Sequence, residues 1–90
     1  MRTKVIEMRT PGNGIATNQY IIETPIGRYF QSYSTTICKI DLEGKVTLDI
    51  MTWNCSQTTG KYRDQFLGES KKDTQKKIDS GEYILTDLNM

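Results

Sequence analysis

From Gln19 to Trp53 apolar and polar positions alternate, and β-branched and aromatic residues are frequent, which is the pattern of half-buried antiparallel strands. A strand over Asn18 to Glu23 ends at Thr24-Pro25-Ile26-Gly27, where proline presets φ at the second turn position and glycine suits the fourth. The returning strand, Arg28 to Tyr33, places Tyr29, Gln31 and Tyr33 on one face and Phe30 and Ser32 on the other. A third strand, Thr35 to Asp41, turns through Leu42-Glu43-Gly44 into a fourth, Lys45 to Trp53. There Val46, Leu48 and Ile50 share the face expected to be buried, each contributing about 1.5 to 3 kcal/mol, while Thr47 and Asp49 share the other. Ahead of these, Pro11-Gly12-Asn13-Gly14 is a loop signal that sets apart another short strand, Val5 to Met8.

After Trp53 the period changes. Ser56 or Thr58 can cap a helix that runs to about Leu67. Within it Tyr62 and Phe66 are four apart, as are Arg63 and Leu67, and Gly68 supplies a left-handed stop. A second short helix is signalled by Ser70 as cap, by Asp73 four residues ahead of Lys77, and by Gly81 as terminator. Ile78 is its single strong apolar residue, so this helix is expected to be largely exposed. The tail from Glu82 to Leu88 reads as an extended segment docking on a sheet edge. The expectation is an α+β fold: a small antiparallel β-meander of four to five strands with one or two short helices packed after it, residues 1–90 forming a single domain.

Composition narrows the chemistry more than it names it. Ninety residues, 36% hydrophobic and 26% charged, with a mean hydropathy of -0.58, describe one small domain whose stability should be about 5 to 9 kcal/mol. The absence of histidine removes the commonest general base and zinc ligand. The only two cysteines, Cys38 and Cys55, cannot complete a tetrahedral metal site without carboxylates, so no metal and no cofactor is expected. The hairpin register puts Cys38 opposite about Leu48 and leaves Cys55 several residues beyond, out of reach, so both are read as free thiols, in keeping with a reducing cytoplasm. Met1 to Thr10 lacks the apolar run of a signal peptide, and no eighteen-residue apolar stretch could span a membrane.

Candidate catalytic groupings fare poorly. Ser56, Thr58 and Thr59 beside Lys61 stand at a helix start, where hydroxyls cap, and Asp41, Glu43 and Asp49 surround one hairpin whose edges they keep wet. Gly12-Asn13-Gly14 lacks the third glycine of a phosphate cradle, Thr17 standing in its place. No catalytic residue is assigned. Net charge is only +1, but Lys61 to Lys77 holds six basic residues against Asp64, Glu69 and Asp73. Tyrosines and phenylalanine beside a basic residue, Arg28, Tyr29, Phe30 and Tyr33, could also build a stacking platform for single-stranded nucleic acid.

Two stretches, SQTTGKYRDQFLGE at Ser56 to Glu69 and KIDSGEYILTDLN at Lys77 to Asn89, together with GRYFQSY at Gly27 to Tyr33, resemble a family of small uncharacterised proteins of bacteriophages and mobile elements. The resemblance implies a phage origin and a bacterial host cytoplasm. It points to a non-enzymatic inhibitor or adaptor that occludes a host protein such as a CRISPR-type defence nuclease, with a nucleic-acid-binding module or small regulator as the alternative. On that reading the contacts are exposed residues of the helices and strand ends: Lys61, Arg63, Lys72 and Lys76, with Tyr33 or Trp53 as aromatic anchor. A homodimer through an exposed edge strand is a further expectation.

Overall fold

A computed structural model describes residues 3–89. Six strands and two helices follow one another as β1 (Lys4–Arg9), β2 (Ile15–Thr24), β3 (Gly27–Ser32), β4 (Thr35–Asp41), β5 (Val46–Asp49), α1 (Gln57–Leu67), α2 (Lys71–Asp79) and β6 (Ile84–Thr86). They form one sheet in chain order, antiparallel from β1 to β5, with β6 added parallel to β5 after the crossover through both helices. The fold is α+β as the periodicity indicates. The sheet has one strand more than the upper expectation, because the tail pairs as β6.

Local chemistry explains the turns. Gly27 has φ 145, and a Cβ there would collide with the Ile40 carbonyl oxygen, so only glycine lets β3 lie this close to β4. At the β4–β5 turn the Asp41 carboxylate accepts from the backbone N–H groups of Glu43 and Lys45, both at 2.9 Å. Its register puts Cys38 opposite Leu48, as the hairpin reading requires. Cys38 is buried and Cys55 exposed, and both are free.

The core lies between the sheet and the helices. Phe30, Cys38 and Leu48 are fully buried, and the Phe66 ring of α1 stacks on Phe30 with centroids 6.0 Å apart. Ser56 caps α1 by accepting from the Thr59 N–H, and Gly68 closes it at φ 70. Ser70 caps α2 by accepting from the Asp73 N–H. Beside the apolar core, Thr59 meets Ser32 of β3 through their hydroxyls at 3.4 Å.

One core expectation is corrected. The fourth predicted strand stops at Asp49 rather than reaching Trp53, and Ile50 is 53% exposed while Val46 and Leu48 are buried. The reason is Asp49 itself. Although it lies on the opposite face from Leu48, it is buried and accepts from the Thr52 hydroxyl at 2.6 Å and the Leu88 N–H at 2.8 Å, which draws the chain into a turn. Burial pushes its carboxyl up, but the bonds from Thr52 and Leu88 outweigh it and hold the group below the usual carboxylate range. Asn89 extends this lock, its side-chain amide exchanging bonds of 2.7 and 2.8 Å with the backbone of Thr36.

Candidate interaction surfaces

Folding sorts the charged residues of the helical segment into two groups. Arg63, expected at the surface, is 1% exposed. Its guanidinium donates to Asp64 Oδ1 at 2.7 and 3.2 Å and to the Trp53 carbonyl at 2.6 Å, and it lies over the Trp53 ring at 5.3 Å from the centroid. Arg63 is therefore a clamp between α1 and the loop that enters it, because the Trp53 carbonyl and ring of that loop close on its guanidinium. Trp53 is half-buried against the core and held by the same clamp, so it is no free anchor.

Lys77 is engaged as well, with a partner other than the expected Asp73. Glu69, between the helices, accepts from Lys77 Nζ at 2.8 Å, the Thr74 hydroxyl at 2.6 Å and the Tyr83 hydroxyl at 2.8 Å. Burial pushes the Glu69 carboxyl up, but the three donors outweigh it and keep it below its ordinary range. The same contact raises Lys77, while burial, followed by the Glu69 carboxylate, pushes the Tyr83 hydroxyl up to about 12. This hub ties the α1–α2 loop, α2 and the approach to β6 together.

What remains outside is a helical layer with four exposed lysines against exposed Asp73 and Asp79. Lys61, Lys71, Lys72 and Lys76 are exposed, and among the described residues none of them makes an ion pair. Lys61 and Lys71 line an open groove of about 510 Å³ at the start of α1, together with Cys55, Ser56 and Asp64. The sequence selected Lys61, Lys72 and Lys76, and Lys71 joins them through the fold although it already counted in the local basic excess. Tyr33 is 61% exposed on the β3–β4 turn, held at φ 57 by its N–H donating to the Asn18 carbonyl at 2.7 Å and by Gln31 donating to its own carbonyl at 2.7 Å. Because Ser32 touches Thr59, this tyrosine stands at the end of the sheet where α1 begins.

The aromatic platform of Arg28, Tyr29, Phe30 and Tyr33 does not assemble. Phe30 points into the core, Arg28 lies 5.4 Å from the centroid of the Phe66 ring, and Tyr29 faces the opposite side of the sheet. No group of three or more cysteine, aspartate or glutamate side chains positioned to hold a metal occurs among the described residues. No helix there is long and apolar enough to cross a membrane.

Comparison with curated proteins and with solved structures finds no match. A family model does match residues 4–82, nearly the whole of the described sheet and both helices, and the chain belongs to that family, a family of unknown function (DUF8033).

Proposed function

We propose that this chain is a small phage-encoded, non-enzymatic binding protein that inhibits or adapts a host protein in the bacterial cytoplasm by occluding an acidic surface on it. The observation that carries this reading is the sorting of charge on the helical layer. Arg63 and Lys77 are paired with Asp64 and Glu69, whereas Lys61, Lys71, Lys72 and Lys76 stay exposed and unpaired and outnumber the exposed Asp73 and Asp79. Such a patch steers a negatively charged partner toward α1 and α2 and disfavours a positively charged one. Tyr33, large and fixed on a rigid turn, is the aromatic anchor at the α1 end. A defence nuclease of the CRISPR type fits as a partner through its acidic regions, including the carboxylates that hold catalytic metals, rather than through its basic nucleic-acid channel.

The same four lysines also support the second reading, contact with nucleic-acid phosphates. The two readings part on salt and on stoichiometry. Four phosphate contacts to duplex DNA would give a log affinity against log salt slope of up to about -3.6, whereas a protein partner would be held at fixed stoichiometry after nuclease treatment. Lys72→Glu with Lys76→Glu, both at exposed positions of α2, is expected to weaken partner binding by about tenfold or more while leaving the fold intact. Calorimetric titration of the partner into the variant checks this, and an unchanged affinity removes the patch from the account.

A further inference from the structure

We infer that the groove at the start of α1 is a binding site for the phosphate group of a small phosphomonoester, held by Lys61 and Lys71 above the guanidinium of Arg63. Gly60 is the residue that opens this site. It stands fourth in an eleven-residue helix, where glycine is the poorest residue short of proline. Its φ is not positive, and a Cβ built there would meet nothing nearer than 3.6 Å, an ordinary contact. Neither backbone conformation nor packing therefore requires glycine. What that Cβ would meet are the terminal nitrogens of Arg63, Nη2 at 3.6 Å and Nη1 at 3.7 Å. Gly60 and Arg63 both line the groove, and Arg63 is 1% exposed, so its guanidinium is the floor beneath the open side of Gly60. A local rule broken without a structural need is expected at a functional site.

That floor has donors to spare. A guanidinium carries five N–H groups. Asp64 Oδ1 accepts from Nε and Nη2, and the Trp53 carbonyl accepts from Nη1, which leaves one N–H on each terminal nitrogen without an acceptor among the described residues. Around the floor, Lys61 of α1 and Lys71 at the start of α2 line the groove and make no ion pair among the described residues. The first turn of α1 opens there too and has no acidic residue to meet its free N–H groups.

Charge selects the ligand. Asp64 is the one carboxylate in the lining among the described residues and is engaged by Arg63, so the groove keeps the charge of both lysines. A phosphomonoester carries about -1.5 to -2 near neutral pH on three strong acceptor oxygens, enough for two ammonium groups and the spare N–H donors. A carboxylate carries a single charge and would leave one lysine uncompensated. Size favours an ester over the free ion, since about 510 Å³ lies within the roughly 300 to 1,000 Å³ of small-molecule sites. Asn54 and Gln57 offer amides to hydroxyls beyond the phosphate, and no aromatic side chain among the described residues lines the groove to stack a base. The body of the ligand is therefore a sugar or polyol rather than a nucleoside. The site goes beyond the proposed function: it shares Lys61 and Lys71 with the surface offered to a host protein but depends on Gly60 and Arg63, which that surface does not use.

Calorimetric titration of the full chain at physiological ionic strength with glycerol phosphate, inorganic phosphate and glycerol is the test. Gly60→Ala, Lys71→Ala and Lys76→Ala are the variants, with thermal melts as the check on folding. Glycerol phosphate is expected to saturate one site per chain and to bind more tightly than inorganic phosphate, and glycerol is expected not to bind. Gly60→Ala improves helix propensity, so it should melt no lower than wild type. It is expected to raise the dissociation constant by about tenfold or more, because its methyl covers the spare donors of Arg63. Lys71→Ala should weaken binding by a similar factor, whereas Lys76, outside the groove lining and screened by salt, should matter by less than about threefold. A wild type with no saturable binding of the ester up to about 10 mM overturns the inference. So do a folded Gly60→Ala variant that binds like wild type, a Lys71→Ala loss no larger than that of Lys76→Ala, or inorganic phosphate bound as tightly as the ester. Capture of a host protein is not read by this titration, so the two proposals fail separately.

Discussion

Replacing Glu69 by alanine removes the acceptor that three donors on two elements share, and the structure sets the size of the loss. The Glu69 side chain is 8% exposed, Thr74 is fully buried and Tyr83 is 8% exposed, whereas the Lys77 side chain is 37% exposed and can return to water. The ammonium therefore contributes little to the penalty. The two buried hydroxyls are left without their acceptor at about 1 to 3 kcal/mol each, so the change costs roughly 2 to 6 kcal/mol, a large part of a small domain's stability. In a chain of this length, about 4 to 8 °C of thermal midpoint goes with each kcal/mol, so the Glu69→Ala midpoint should fall by at least about 8 °C at neutral pH. The loss should also depend on pH. The Glu69 carboxyl sits below its ordinary range in the folded state, so its stabilisation is fully present above the unfolded value near 4.3 and disappears as pH falls through the lower folded value. Thermal melts of wild type and variant at neutral pH and at successively lower pH measure both effects. A variant that melts within about 2 °C of wild type, or a difference that stays constant as the carboxyl is protonated, would refute the assignment of Glu69 as the acceptor that joins α2 to the approach to β6.

Two further outcomes follow from the core. Leu48→Asp places a carboxylate at a fully buried position opposite Cys38 and should abolish the cooperative thermal transition, which a calorimetric scan would show; a wild-type midpoint would contradict the core. Cys55 should react with a thiol reagent in the native protein, whereas Cys38, whose thiol is pushed far up by burial, should react only on unfolding. Titration with a chromogenic disulfide before and after denaturant should thus count one thiol and then two.

The elements were legible where local chemistry decides them. The strand Thr35–Asp41 has the bounds the alternation gives it, and Ser56, Gly68 and Ser70 cap or close the helices as their residue types indicate. What the sequence hid depends on contacts between distant residues. Ile50 continues the alternation, but Asp49 accepts from Leu88, thirty-nine residues on, and the strand ends there. Arg63 and Lys77 look like surface charges until Trp53 and Glu69 are brought beside them, ten and eight residues away. The candidate surface was correspondingly half visible: Lys61, Lys72, Lys76 and Tyr33 are exposed as expected, and Arg63 and Trp53 are not.

The central claim is that the exposed lysines of α1 and α2 hold a host protein. A tagged full-length chain retained on resin in bacterial lysate, with and without nuclease, beside the Lys72→Glu, Lys76→Glu variant, tests it most directly. The account predicts one host protein at fixed stoichiometry that survives nuclease and is lost with the variant. Retention that vanishes with the nucleic acid, or that the variant keeps in full, would contradict it.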